Sequence, residues 1–175
     1  VSQKTEPIRP RLEEVPFKIE RAKALTPVER EVETRFAEAV EKDPESFVQQ
    51  YREKFGREIN TDNARELSPD YESNRSGNSR AVHETASWIA KEVYRRSLAG
   101  APKEGQDNAV LFTAGGTGSG KTTSIKEVPE TKPIHEKAQI VFDTNLNNLE
   151  SSVAKIDQAL MAGKEAQIVY VHRDP

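Results

Sequence analysis

Val28, Val32, Phe36 and Val40 recur every fourth residue behind Thr26-Pro27-Val28-Glu29, where a threonine N-cap, a first-turn proline and a glutamate at N3 make a capping box. The pattern predicts a helix with one apolar stripe. Asp43-Pro44-Glu45 repeats the start signal, and Phe47, Val48, Tyr51 and Phe55 form a second stripe that Gly56 closes. Residues 26–56 therefore read as a helical hairpin extension. Residues 1–25, charged and broken by Pro7, Pro10 and Pro16, read as a linker or flexible arm. From 57 to 175 the period changes repeatedly. A short strand through Ile59 leads to Asp62; residues 72–80 are polar and loop-like; Ala81, Val82, Ala86, Ile89, Val93 and Leu98 mark a third helix with His83 and Glu84 near its start. Trp88, on a neighbouring face, reads as packing. A turn-rich loop at 100–108 feeds an apolar strand over 109–113. A helix runs from Thr123 to about Val128 and stops at Pro129 and Pro133, and a second apolar strand over 138–142 leads to Asp143-Thr144-Asn145. Leu146, Leu149, Val153, Ile156 and Leu160 mark a further helix ending at Gly163, before a last strand over 166–171. Strands alternating with helices predict an α/β fold, a parallel sheet flanked by helices on both faces, as one domain over 57–175.

Composition narrows this picture. Of 175 residues only 34% are hydrophobic and 31% are charged, so the core must come from a few well-patterned segments. The 26 basic and 29 acidic residues nearly cancel, which argues against a long nucleic acid as partner. Without cysteine the chain forms neither disulfides nor a zinc-thiolate site, a composition compatible with the cytoplasm. No apolar run reaches membrane-spanning length, and no membrane partner is expected. The chain opens on Val1 rather than methionine, as a processed piece would.

The chemistry concentrates where the 109–113 strand ends. Gly115-Gly116-Thr117-Gly118-Ser119-Gly120-Lys121-Thr122 matches Gly-x-x-x-x-Gly-Lys-Thr, the phosphate-binding loop of P-loop NTPase-like folds, and Thr123 follows it. Glycines let the backbone turn tightly and bring its N–H groups to phosphate oxygens. Lys121 supplies a point charge for the β and γ phosphates of ATP, and the Thr122 hydroxyl is placed to ligate Mg²⁺. Phosphoryl transfer also needs a carboxylate to hold metal or orient the acceptor hydroxyl. Asp143, at the end of a strand expected beside the loop's own strand, is placed to hold Mg²⁺ or to act as base. Asp62 reaches the same sheet edge from before the loop, and the choice of base between the two stays open. Arg65, Glu66, Asp70, His83 and Glu84 are candidates for gripping the substrate.

Taken together, Asp62-Asn63-Ala64-Arg65 with Pro69-Asp70-Tyr71, then His83-Glu84, then the loop from Gly115 to Thr122, then Asp143-Thr144-Asn145, resemble the zeta-toxin family of P-loop kinases, relatives of polynucleotide kinase. In that family the phosphate loop comes first. Here it follows the Asp62 and His83 segments, so the chain reads as circularly permuted, with 100–108 as the new joint. The resemblance, over 57–175, implies an ATP-dependent phosphotransferase in which Lys121 and Thr122 serve ATP and Mg²⁺ and Asp62 matches the base. It implies a nucleotide-like acceptor: UDP-N-acetylglucosamine in the bacterial toxins, NAD in a plant-pathogen effector. It further implies an antitoxin or chaperone partner, a place in the bacterial cytoplasm or delivery into a host cell, and lid arginines beyond Pro175, since Arg173 alone is basic after the last strand. Two rival readings are an ATPase or GTPase switch and a nucleotide-binding interaction module.

Overall fold

Capping chemistry sets the helix boundaries. In the computed structural model, which describes residues 18–114, 125–144 and 149–170, Thr26 and Glu29 form the reciprocal capping box of α1 (Pro27–Lys42). Asp43 ends that helix and also caps α2 (Pro44–Phe55) by accepting the Ser46 N–H. After α2 come β1 (Glu58–Ile59), α3 (Thr61–Arg65), α4 (Pro69–Ser73), α5 (Arg75–Ala99), β2 (Asp107–Ala114), α6 (Lys132–Lys137), β3 (Ala138–Thr144), α7 (Leu149–Met161) and β4 (Glu165–Tyr170).

The four strands form one all-parallel sheet in the order β1-β3-β2-β4. Side chains alternate across it, as the strand period requires. Val110 and Phe112 of β2 and Ile140 and Phe142 of β3 face the larger core, shared with α1, α2 and α5. There the Tyr94 ring meets Phe142 and Phe112 edge-on at 4.9 and 6.5 Å. Leu111 and Val141 point to the other face, where Ile125, with Ile134 of α6, covers them. The α/β, parallel-sheet expectation holds, with helices on both faces.

The orientation of α5 places the rest. Gln139, at the start of β3, donates to the carbonyls of Ser97 and Gly100, so the C-terminal end of α5 lies at the strand starts. Its first turns therefore lie towards the strand ends. Buried Lys164 ties β4 to the same corner by donating to Gly100 O and Asn108 Oδ1.

Four segments differ from the sequence reading. Residues 72–80, expected as loop, are helical except Asn74, which ends α4 and caps α5 through the Gly77 N–H. These turns carry no apolar stripe, so periodicity does not mark them. His83 and Glu84 consequently lie well inside α5 rather than near its start. α6 fills the stretch read as a break, because Pro133 stands in a first turn, where its missing N–H costs nothing. In α7 the inward face is Ser152, Ile156 and Ala159, while Val153 and Leu160 are exposed. Residues 18–25, within the expected linker or arm, lie against α1 with Ile19 buried.

Candidate functional site at the strand ends

β2 and β3 run in register to their ends, with Thr113 opposite Asp143 and Ala114 opposite Thr144. Because parallel partners present the same face, both side chains lie on the Leu111–Val141 side, and the Thr113 hydroxyl donates to Asp143 Oδ1 at 3.1 Å. Asp143 is thus where the sequence expected it, at the end of the strand next to the one that runs into Gly115. A small cleft here is lined by Asp143, Thr113, Asn60, Glu58, His135 and Ile125.

Below Asp143 the cleft is charged. Glu58 of β1 pairs with Lys126 at 2.9 Å and with His135 Nε2 at 3.4 Å. Arg57 donates to the His135 carbonyl and, at 2.9 Å, to that of Ala138, so its guanidinium backs the imidazole. Burial pushes the Glu58 carboxyl up, but Lys126 and His135 outweigh it and hold it below its ordinary value. Burial, and then the Arg57 charge, push His135 down, which favours a neutral ring.

Buried Tyr51 of α2 shapes the exit of β1. Its hydroxyl donates to Glu58 O at 2.7 Å and accepts the Asn60 N–H at 3.0 Å, and Asn60 caps α3 by accepting the Asn63 N–H at 2.7 Å. Burial pushes the Tyr51 phenol up to about 12, so it stays a hydroxyl. This clamp aims α3 and sets Asp62 just past the edge of the sheet. Asp62 is 85% exposed and accepts from Arg65 at 3.2 Å; Arg65 in turn donates to His83 Nδ1 at 2.9 Å. A guanidinium only donates, so His83 Nδ1 is the acceptor and its Nε2 carries the proton. Arg65, His83 and Glu84 line a second pocket.

Of the residues named from sequence, Asp62, Arg65 and His83 form one hydrogen-bonded chain, Glu84 joins the last two in their pocket, and Asp143 stands in the separate cleft at the ends of β2 and β3. Glu66 is drawn away into an ion pair with Arg75, and Asp70 is held by Arg35 at 3.1 Å. Gly115, Gly116, Thr117, Gly118, Ser119, Gly120, Lys121, Thr122 and Thr123 lie outside the described residues, as do Asn145 and Arg173. Sequence reasoning missed Tyr51, Glu58, Asn60, Thr113, Lys126 and His135. Only Glu58, a charge inside a strand pattern, carried any signal.

Thr113 and Asp143 offer oxygen donors, the class Mg²⁺ takes. Among the described residues no three His, Asp or Glu side chains gather closely enough to hold a metal alone. Among the described residues no helix is long and apolar enough to cross a membrane. A scan against protein-family models finds no match, and no curated protein matches the chain.

Proposed function

We propose that the chain is an ATP-dependent phosphotransferase of the P-loop kind, acting on a hydroxyl of a nucleotide-like metabolite. The observation that carries this reading is the Thr113–Asp143 pair: a carboxylate at the end of the strand adjacent to, and in register with, the one that leads into Gly115-x-x-x-x-Gly120-Lys121-Thr122. A nucleotide triphosphate cradled by that loop brings its γ-phosphate to the strand ends. Thr122 and Asp143 would hold Mg²⁺, which neutralises charge on the phosphate oxygens when bound.

The acceptor side follows from the other chain of contacts. Asp62 is exposed and steered by Arg65, as a group meant to meet a substrate hydroxyl would be. His83 offers an Nε2–H donor and Glu84 an acceptor in the pocket that Arg65 also lines. Asp62 then serves as base and Asp143 as metal holder, which divides the two roles the sequence left open. An NTPase without an acceptor is the rival outcome.

Titration calorimetry with a non-hydrolysable ATP analogue and Mg²⁺ tests the phosphate-loop assignment. Lys121→Ala should weaken binding by at least about tenfold, the loss of one charge-assisted phosphate contact worth about 1.5–3 kcal/mol. Unchanged affinity would remove the assignment.

A further inference from the structure

The segment 19–25 forms neither helix nor strand, yet side chains of the helices hold its backbone. The Ile19 N–H donates to Glu41 at 3.1 Å, and the Ala22 N–H to Glu33 at 2.8 Å. Arg30 donates to Ala22 O at 2.8 Å and to Glu33 at 2.6 Å, and Arg80 to Ala24 O at 3.0 Å while gripping Glu29 with two further bonds. Glu33 is fully buried, and an unpaired carboxylate there would be costly. Its two partners are the strap and the arginine that also binds the strap.

What this strap builds is a wall. Ala22, Ala24 and Leu25 line a pocket of about 330 Å³ together with Arg65, Arg80, His83 and Glu84. The strap contributes apolar side chains to this lining; Arg65, His83 and Glu84 contribute donors and a carboxylate. A planar heterocycle suits both, with its face on Ala24 and Leu25 and its polar edge towards His83 and Glu84. The volume lies at the low end for small-molecule sites and suits a nucleoside-sized group rather than a whole dinucleotide.

We infer that Ala22, Ala24 and Leu25 are the specificity wall of the acceptor site, selecting acceptors by a nucleoside-sized group, and that Arg80 is the positioning residue that holds this wall against α5. The inference rests on the phosphotransferase reading for the acceptor's chemistry but is tested apart from it. Lys23 lies in the strap, so tryptic cleavage after Lys23 reports its release without any turnover.

The experiment follows that cleavage with and without millimolar NAD or UDP-N-acetylglucosamine, alongside kcat and KM for whichever probe is phosphorylated. Binding should slow cleavage in the wild-type chain. Ala24→Trp, at an exposed position where bulk fills the pocket rather than the core, should abolish that protection and raise acceptor KM about tenfold at near-constant kcat, the signature of lost uniform binding. Arg80→Ala should speed cleavage and raise KM, and Arg80→Lys should restore part of both. Protection without phosphorylation upholds the wall and removes the kinase; phosphorylation with KM unchanged in Ala24→Trp overturns the wall and keeps the kinase. Neither protection nor phosphorylation with either probe overturns both.

Discussion

The Tyr51 hydroxyl shows how one buried residue aims the carboxylate we propose as base. It sits in the core, donates to Glu58 O and accepts from the Asn60 N–H, so the chain leaving β1 turns into α3 at one angle. Tyr51→Phe keeps the ring and leaves that half-buried N–H without its partner, at a cost of about 1 kcal/mol or more. A lower melting temperature should accompany a fall in phosphoryl transfer, with ATP-analogue affinity unchanged; a transfer rate equal to wild type would separate the clamp from function. Asp143→Asn should keep the fold and the Thr113 contact yet lower transfer by about 100-fold or more, a loss typical of an electrostatic group at the reacting phosphate. At this scale the sequence named Asp62, Arg65, Glu66, Asp70 and His83 one by one; that Arg65 joins Asp62 to His83, while Arg75 and Arg35 hold Glu66 and Asp70, depends on how the chain folds and left no sign in it.

Among the elements, α6 and β1 are bound by charge as well as by the apolar contacts of Ile134 and Ile59. Arg57, Glu58, Lys126 and His135 join the start of β3, the edge strand and the residues after the phosphate-loop segment. His135 is held below its ordinary value, so the unfolded chain takes up its proton first. Stability must therefore fall as pH drops through about 6.5, the ordinary histidine value, towards the lower native one. Glu58, also held low, adds its contribution above the ordinary carboxylate range and loses it as pH falls through its native value. Urea melts between pH 5 and 7.5 should show midpoints declining on acidification, and His135→Gln should flatten that decline. A pH-independent midpoint in the wild-type chain would contradict the arrangement. Strongly periodic elements, α1, α2 and β2, were legible because burial imposes one period on them. The start of α5 and all of α6 were not, since a cap holds the one and an ion pair with a single apolar contact the other, and none of these leaves a repeating signal. The strap at 19–25 escaped for the same reason, its partners being Glu33 and Glu41 rather than a ladder.

At the scale of the whole molecule, the larger core runs without a break from β2 and β3 through α5 into the helical hairpin, so the hairpin takes part in placing the site. Phe36, buried in α1 and meeting Phe47 at 6.1 Å, is the place to test this. Phe36→Ala should cost about 3–5 kcal/mol and should lower the midpoint of a single unfolding transition seen by both far-ultraviolet dichroism and Trp88 fluorescence. Two separated transitions would make the hairpin an independent unit. The sheet order β1-β3-β2-β4 puts β1 on the far side of β3 from β2, so Asp62 follows the end of the edge strand while Asp143 stands at the end of its parallel neighbour. Topology of this kind was only partly legible, because alternation of strands and helices implies parallel strands but not their order.

The measurement that bears most directly on the central claim is the mass of an acceptor after incubation of the chain with Mg²⁺-ATP and a panel of UDP-sugars, NAD and 5′-hydroxyl oligonucleotides. The account predicts a gain of one phosphate on a nucleotide-like member, lost in Lys121→Ala and in Asp143→Asn. ATP consumed with no member gaining mass, or a gain that survives Lys121→Ala, would contradict it.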